Sequence, residues 1–220
     1  MISDKEGQGQ NMGRPELIIG ITGTNGSGKD TVAGILINEK GFEKNLSLSG
    51  PIREEVARRG LDKGVTDLRP ILRKVGDEMR KRFGPGYWAA VLARNLTGRR
   101  IIISGIRNPA EIDEIQKSGV PFFLVSVDGL VEERYKRAQV GRGRSYGEEN
   151  ISLEAFKRID DAQIYGGETE QERAHRDPFV MYTAGCMDRA DFKIYNDGTL
   201  EDLRAKVDEM LKVARSKFPI

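Results

Sequence analysis

A phosphate-binding loop is the clearest chemical signal in this chain, in the segment GITGTNGSGKDTVAGIL of residues 20–36. From Gly23 it reads G-x-x-x-x-G-K, a spacing in which glycines let several backbone N–H groups point inward and Lys29 reaches the β- and γ-phosphates of a nucleotide. An apolar run precedes the loop and an amphipathic run follows it, as a strand and a helix would; the alternative is an ordinary glycine-rich turn. The predicted nucleotide-binding residues of the loop are Gly23, Thr24, Asn25, Gly26, Ser27, Gly28, Lys29, Asp30 and Thr31.

Asp30 occupies the position at which this loop normally has a serine or threonine that coordinates Mg²⁺. A carboxylate is a good Mg²⁺ ligand, but here it would lie close to the β-phosphate, so the metal, Lys29 or a water must offset the repulsion. We therefore predict that Asp30 binds Mg²⁺ through a water, while Thr31 contacts a phosphate. A compatible alternative is that Asp30 only interacts with the positive end of the helix dipole. Ser104 stands where many such enzymes have a metal-binding aspartate, and Asp128 is a rival ligand.

Two arginines follow predicted strands and precede or begin predicted helices. Pro51 in SLSGPIREEV suits the first helical position, which puts Arg53 in a first turn, where the helix dipole disfavours a cation. Asn108-Pro109 predicts a helix start directly after Arg107. An anionic ligand would resolve both conflicts, so we predict that Arg53 and Arg107 bind the phosphate of an acceptor substrate. The alternative is that each arginine pairs with a nearby glutamate.

The elements that must position these residues alternate between strand and helix. Continuous apolar runs at 17–21, 100–104 and 122–127 indicate strands covered on both faces, and weaker runs at 44–49 and 191–196 indicate two more. Helical spacing occurs at 31–39, 51–59, 67–83, 87–96, 109–118, 131–139 and 200–214, the last after an Asp197-Gly198-Thr199 start. This order predicts an α/β fold in three layers, with a parallel five-stranded sheet and ligands beyond the carboxyl ends of its strands. The segments 141–150 and 165–178 break the pattern and are predicted to be mobile inserts.

The chain resembles a known group of kinases at this point. SGKDT is similar to the phosphate loop of bacteriophage deoxynucleoside monophosphate kinase, and the wider pattern over residues 16–215 resembles dephospho-coenzyme A kinases and the nucleoside monophosphate kinase superfamily. The ending ADFKIYNDGTLEDLRAKV is similar to that of dephospho-coenzyme A kinases, which implies that Asn196, Asp197 and Gly198 lie near the adenine. The resemblance implies a P-loop kinase fold, ATP as the phosphate donor with Mg²⁺, and a small-molecule phosphate acceptor.

The resemblance also assigns two further regions. Residues 50–98 are implied to form a helical acceptor-binding region in which Arg73 and Arg80 contact the acceptor. By itself, the segment LRPILRKVGDEMRKRF of residues 68–83 is typical of a solvated basic face. The segment RYKRAQVGRGR, residues 134–144, contains five basic residues and no acid and looks like the lid of this superfamily, spanning residues 137–150. Its candidates for closing over the phosphates are Arg137, Arg142 and Arg144; the alternative is a basic surface loop.

The identity of the acceptor depends on whether a base is present. Transfer to a sugar hydroxyl, as in dephospho-coenzyme A kinase, benefits from a carboxylate that takes the proton, and that family's aspartate after the second strand is replaced here around Ser49-Gly50. Transfer to a phosphate needs no base, so we predict a nucleoside or deoxynucleoside monophosphate acceptor. Asp77 or Glu78 could supply a base, which keeps dephospho-coenzyme A open. A nucleotide-binding regulatory module without turnover is the third alternative.

Composition limits the other function classes. Lys and Arg total 36 against 34 Asp and Glu, a net charge of +2, and residues 134–144 have few neighbouring aromatics, so nucleic-acid binding is not expected. One cysteine and one histidine cannot build a metal cluster. We expect a disordered polar leader at 1–15, a single kinase domain at 16–220, no membrane association and a cytoplasmic location. The sequence leaves the oligomeric state open.

Overall fold

Five parallel strands form the sheet of this protein, in the order β2-β3-β1-β4-β5. The computed structural model describes residues 13–140, 151–167 and 169–218. The strands are β1 (Leu17–Gly23), β2 (Lys44–Ser47), β3 (Arg100–Ile106), β4 (Phe122–Asp128) and β5 (Phe192–Tyr195). Every residue of β1, the central strand, is buried, because helices cover both of its faces. The predicted parallel five-stranded sheet is thus confirmed.

At least one helix lies between each pair of consecutive strands, as the sequence pattern predicts. They are α1 (Lys29–Lys40), α2 (Ser49–Arg58), α3 (Arg69–Phe83), α4 (Tyr87–Ala93), α5 (Pro109–Gln116), α6 (Val131–Val140), α7 (Leu153–Tyr165), α8 (Glu170–Ala174), α9 (Thr183–Asp188) and α10 (Leu200–Lys217). The predicted start of α5 is confirmed: Asn108 is its N-cap, and its side chain accepts a hydrogen bond from the Ala110 N–H. Thr199 caps α10 in the same way.

Two hydrophobic cores on opposite faces of the sheet create the three layers. On one face α1 and α10 pack on the odd-numbered residues of β1, with Leu36 and Val207 fully buried. On the other face α4, α5 and α9 pack around Ile18, Ile103 and Cys186. Because successive side chains of a strand point to opposite faces, the continuous apolar runs supply both cores at once.

A third hydrophobic cluster holds the helical region beside the sheet. It joins α2, α3 and α4 through Val56, Val75 and Trp88. The indole Nε1 of Trp88 donates a hydrogen bond to the Gly76 carbonyl at 3.1 Å, so the polar end of this buried ring is satisfied. Trp88 therefore anchors this helical region.

Several elements differ from the sequence-based expectation. Helix α2 begins at Ser49 rather than at Pro51, so Arg53 lies in its second turn, and the dipole conflict predicted for this residue is weaker than expected. Helices α7 and α9 were not predicted, because their buried faces are short and that of α7 includes a charged residue, Asp160. The segment 165–178, predicted to be a mobile insert, contains the short helix α8. The other expected insert, 141–150, lies outside the described residues.

The described part of the chain has no helix with the length and apolarity needed to cross a membrane.

Candidate functional site

The phosphate loop joins β1 to α1 at the carboxyl edge of the sheet. Two of its glycines are required by close packing as well as by positive φ angles. A Cβ at Gly23 would lie 1.9 Å from the Val127 carbonyl oxygen, and one at Gly26 would lie 2.4 Å from that of Arg134. Helix α1 then begins at Lys29, and its N-cap is the left-handed Gly28, which supplies no side-chain cap. The first amide groups of the helix therefore present the partial positive charge that binds anions.

Contacts from two neighbouring strands hold the loop in this shape. The Thr24 hydroxyl donates to the Asp128 carboxylate at the end of β4, at 2.6 Å. The Asn196 side-chain amide, after β5, donates to the Ser27 carbonyl at 2.8 Å. Within the loop, the buried Ser27 hydroxyl donates to the Thr24 carbonyl at 2.8 Å. These hydrogen bonds hold the loop in shape, and Asp128, which the sequence offers as a rival Mg²⁺ ligand, accepts one of them from Thr24.

Lys29 is half-buried beside the loop, and its ammonium group donates to the Thr24 carbonyl. Burial is the main cause that lowers the pKa of Lys29 from its ordinary value to about 7, and the nearby Arg107 charge lowers it further. Asp30 and Asp160 act in the opposite direction without cancelling these effects. The protonated side chain is therefore poorly stabilised in the free protein, and an anion beside it would relieve this cost.

Arg107 follows β3 and reaches the loop from the neighbouring strand. Its Nη1 donates to Gln163 Oε1 at 2.9 Å and lies 3.5 Å from the Met181 sulfur. The Glu111 carboxylate accepts the backbone N–H of Arg107 at 2.8 Å and also that of Asn108, the N-cap, at 3.1 Å, the second bond being part of the α5 capping box. A cavity at this point is lined by Gly23, Thr24, Asn25, Arg107, Asp160, Gln163, Ile164 and Thr183.

The other arginines predicted to bind the acceptor, Arg53, Arg73 and Arg80, differ in their exposure and in their contacts. Burial raises the pKa of the Glu111 carboxyl, while the charges of Arg80 and Arg107 oppose this shift, which places Arg80 close to the start of α5. Arg80 also donates to Asp77 at 2.9 Å. Arg53 and Arg73 are exposed and make no hydrogen bond or ion pair within the described ranges. Arg80 and Arg107 of this predicted set therefore both act on the charge of Glu111.

Two residues that were not predicted from the sequence, Arg134 and Asp160, form hydrogen bonds with the phosphate loop. Arg134 of α6 is buried; its Nη1 donates to the Asp160 carboxylate of α7 at 2.5 Å and to the Asn25 carbonyl at 3.1 Å. Asp160 in turn accepts from the Asn25 side-chain amide at 3.3 Å. Arg134 was counted only as part of a basic segment, and no local signal marks its partner, because the pair forms by packing of separate helices.

Arg137, one turn further along α6, faces the end of β5. Its Nη2 donates to the Asn196 carbonyl at 2.7 Å, whereas its buried Nη1 has no partner among the described residues. Asp197 accepts from the Leu130 N–H at 2.7 Å, which orders the chain before α6, and Gly198 packs against Asp202 at the start of α10. Of the three residues predicted near the adenine, Asn196 contacts the phosphate loop directly. Arg142 and Arg144 lie outside the described residues.

The residues present fit Mg²⁺ only together with a nucleotide. No group of three or more acidic, histidine or cysteine side chains in the described part of the chain could hold a metal by itself. Asp30 and Thr31 are exposed in the first turn of α1, next to the proposed position of the phosphates. Mg²⁺ commonly takes one or two carboxylates together with substrate phosphates and water, so a single aspartate at this point is a sufficient protein ligand.

Comparisons with known proteins agree with this fold. No protein-family model matches the chain. A UPF0200 protein from Methanothrix thermoacetophila is 30% identical over 200 residues, which cover 89% of this chain and 96% of the relative. A UPF0200 protein from Aeropyrum pernix is 27% identical over 199 residues, covering 90% and 94%.

Among solved structures, TT1252 from Thermus thermophilus aligns with a TM-score of 0.55 at 20% identity, over 93% of this chain and 98% of its own. A shikimate kinase from Acinetobacter baumannii in complex with shikimate aligns with a TM-score of 0.53 at 17% identity, over 90% and 93%. At these identities the likeness shows the fold, which is that of the P-loop kinases. The finer resemblance to deoxynucleoside monophosphate and dephospho-coenzyme A kinases stays a prediction.

Proposed function

The chain belongs to the UPF0200 family, and from its site we propose that it is an ATP-dependent phosphotransferase acting on a nucleoside or deoxynucleoside monophosphate. The observation that carries this proposal is the convergence of two cations on the phosphate loop. Lys29 and Arg107 come from different strand ends, yet Lys29 donates to the Thr24 carbonyl and Arg107 shares Gln163 with Asn25 of the same loop, and the Arg107 charge lowers the pKa of Lys29. Like charges brought together at a capless helix N-terminus favour an anionic ligand between them.

The position of each group assigns it to one of the two substrates. The loop amides and Lys29 bind the donor's phosphates, and bound ATP with Mg²⁺ supplies the γ-phosphoryl group. Arg107 binds the phosphate of the acceptor on the side of β3. Transfer breaks the bond between the γ-phosphorus and the β–γ bridging oxygen and forms one to an acceptor phosphate oxygen, leaving ADP. Positioning and positive charge are the main contributions that such a reaction requires from the protein.

The side chains near the acceptor region favour a phosphate over a hydroxyl as the nucleophile. At the end of β2 the hydroxyls of Ser47 and Ser49 lie 2.9 Å apart, where a hydroxyl kinase would benefit from a carboxylate. The two other candidate bases are both in ion pairs: Asp77 with Arg80 at 2.9 Å, and Glu78 with Arg59 at 3.0 Å. An ionised phosphate needs no base, which agrees with this arrangement.

The test is a coupled assay of ADP release over a panel of nucleoside and deoxynucleoside monophosphates together with dephospho-coenzyme A. We expect Lys29→Ala to lower kcat by about a hundredfold or more, since it removes charge stabilisation at the transferring group. Arg107→Ala should raise the acceptor KM by about tenfold or more, with a smaller effect on the KM for ATP.

Arg99→Ala is the matched control for Arg107→Ala. Arg99 directly precedes β3, at the end opposite Arg107, and among the described residues it pairs only with the exposed Glu16. We expect this variant to retain wild-type kinetics. Turnover with dephospho-coenzyme A alone would overturn the proposed acceptor. Nucleotide binding without ADP release from any acceptor would show a regulatory module instead.

A further inference from the structure

Gln163 of α7 stands between the two halves of the site. Its side-chain Oε1 accepts a hydrogen bond from Asn25 Nδ2 at 3.0 Å and another from Arg107 Nη1 at 2.9 Å. An amide carbonyl oxygen has two lone pairs, so both donors can be bound at the same time. Asn25 lies at the tip of the phosphate loop and Arg107 lies on the acceptor side. One oxygen of an uncharged side chain therefore links Asn25, on the side of the phosphate-donor nucleotide, to Arg107, on the side of the acceptor substrate.

The position of Gln163 is set by the helix that carries it. Asp160 precedes it by three residues and so lies on the same face of α7. This face is held over the loop by the buried contact between Asp160 and Arg134. The fully buried Phe156, in edge contact with Tyr135 at 5.6 Å between ring centroids, anchors the preceding turn. Gln163 therefore projects toward the loop from a fixed backbone.

We propose that Gln163 is a positioning residue that couples the two substrate sites, an inference that rests on the proposed phosphotransferase function. Its oxygen aims the Arg107 guanidinium at the acceptor phosphate while it holds Asn25 at the tip of the loop. The neutrality of the amide matters for this role. A carboxylate at the same place would form an ion pair with Arg107 and compete with the anionic acceptor, whereas an apolar side chain would leave both donors without this partner.

The two contacts of Gln163 can be tested separately, because each should affect the binding of a different substrate. Its influence on the acceptor passes through Arg107, so it should disappear when Arg107 is absent. Its influence on the donor nucleotide passes through Asn25 and should disappear when Asn25 is absent. A residue that merely stabilises the fold would weaken both substrates regardless of these partners.

The experiment is a pair of double-mutant cycles, Gln163→Ala with Arg107→Ala and Gln163→Ala with Asn25→Ala. Acceptor KM is measured by ADP release, and the affinity for a non-hydrolysable ATP analogue is measured by calorimetry. We expect Gln163→Ala to raise the acceptor KM about tenfold in the wild-type background and less than about twofold in the Arg107→Ala background. Gln163→Glu should also weaken the acceptor, but it should keep the affinity for the analogue because it keeps an oxygen for Asn25. The control is Gln171→Ala, an exposed glutamine of α8, which should change neither quantity.

Each remaining outcome decides against a specific claim. An unchanged acceptor KM in Gln163→Ala, multiplicative effects in the double mutants, or tighter acceptor binding by Gln163→Glu would overturn the role of Gln163 while the phosphotransferase function stands. If Gln163→Ala does not fold, Gln163→Glu still carries the test. Should the wild-type protein release no ADP, the proposed function fails, and the Asn25 cycle on analogue affinity decides whether Gln163 supports the loop. A wild-type protein that binds no nucleotide removes both proposals.

Discussion

The charge of a single lysine sets how nucleotide binding should respond to pH. Burial and Arg107 lower the pKa of Lys29 to about 7 in the free protein. Phosphates beside the ammonium group favour its charged form and raise the pKa in the complex. Binding is therefore coupled to proton uptake at every pH between the two pKa values. By linkage, the affinity decreases as the pH rises through this interval, by at most tenfold per pH unit for one proton.

We therefore expect the Kd of a non-hydrolysable ATP analogue to increase above about pH 7, where the free lysine loses its proton. Calorimetric titrations between about pH 6.5 and 9 measure this dependence. Lys29→Arg is the control, since a guanidinium remains protonated throughout this range. The titration of the ligand itself is common to both proteins, so the difference between the two slopes reports Lys29. Equal slopes would contradict the lowered pKa.

At the scale of elements, α7 is the helix that attaches the loop to the rest of the site. Asp160 is 2% exposed and its partner Arg134 is 5% exposed, so this ion pair is screened from water. Arg134 also donates to the Gly129 carbonyl at 2.9 Å, and Asp160 also accepts from Asn25, so both charges have further hydrogen bonds. Removing one partner from such a pair leaves a buried charge without compensation, which costs more than the pair contributes.

Asp160→Ala should accordingly lower the free energy of unfolding by about 3–5 kcal/mol, measured by urea denaturation. The adjacent Asp161→Ala is the matched control, because Asp161 is 52% exposed and lies 3.9 Å from Arg173, a distance at which a surface pair contributes little. Replacing Arg134 and Asp160 together by apolar residues should be milder than Asp160→Ala. A loss no larger in Asp160→Ala than in Asp161→Ala would show that the buried pair does not stabilise α7.

At the scale of the whole molecule, the site is assembled from strand ends that are distant in sequence. The loop follows β1, Arg107 follows β3, Asp128 ends β4 and Asn196 follows β5. Parallel strands bring all of these ends to one edge of the sheet, where ligands bind in open α/β folds. A nucleotide at this edge would contact several of these strand ends at once. Ligand binding should therefore stabilise the entire fold by mass action.

A thermal-unfolding assay tests this stabilisation. With Mg²⁺ and the ATP analogue at about one hundred times its Kd, the Tm should rise by about 5–10 °C for a domain of this length. Lys29→Ala should abolish the shift at the same ligand concentration. Chelation of Mg²⁺ should reduce it in the wild-type protein, and Asp30→Ala should show the reduced shift even with Mg²⁺ present. An Asp30→Ala shift equal to that of the wild type would contradict the predicted metal role of Asp30.

Local sequence signals were sufficient to predict the features that depend on short stretches of chain. Continuous apolar runs predicted the parallel strands, and G-x-x-x-x-G-K predicted the loop between β1 and α1. The caps Asn108 and Thr199 marked the starts of α5 and α10. Each of these signals acts within a few residues, through backbone conformation, capping or the burial of a periodic face. Such signals are readable before any tertiary contact is known.

The side chains that complete the site are brought together by contacts between distant parts of the chain. Gln163 contacts Asn25 from 138 residues away, and Arg134 meets Asp160 across 26 residues that include a segment outside the described range. The tertiary structure also leaves Arg53 exposed, whereas it brings Arg107 to the phosphate loop. A charged or amide side chain carries no local mark of its distant partner, since the energy of the contact depends on burial and on packing between helices. The loop could therefore be predicted from its own residues, whereas the partners that hold it could not.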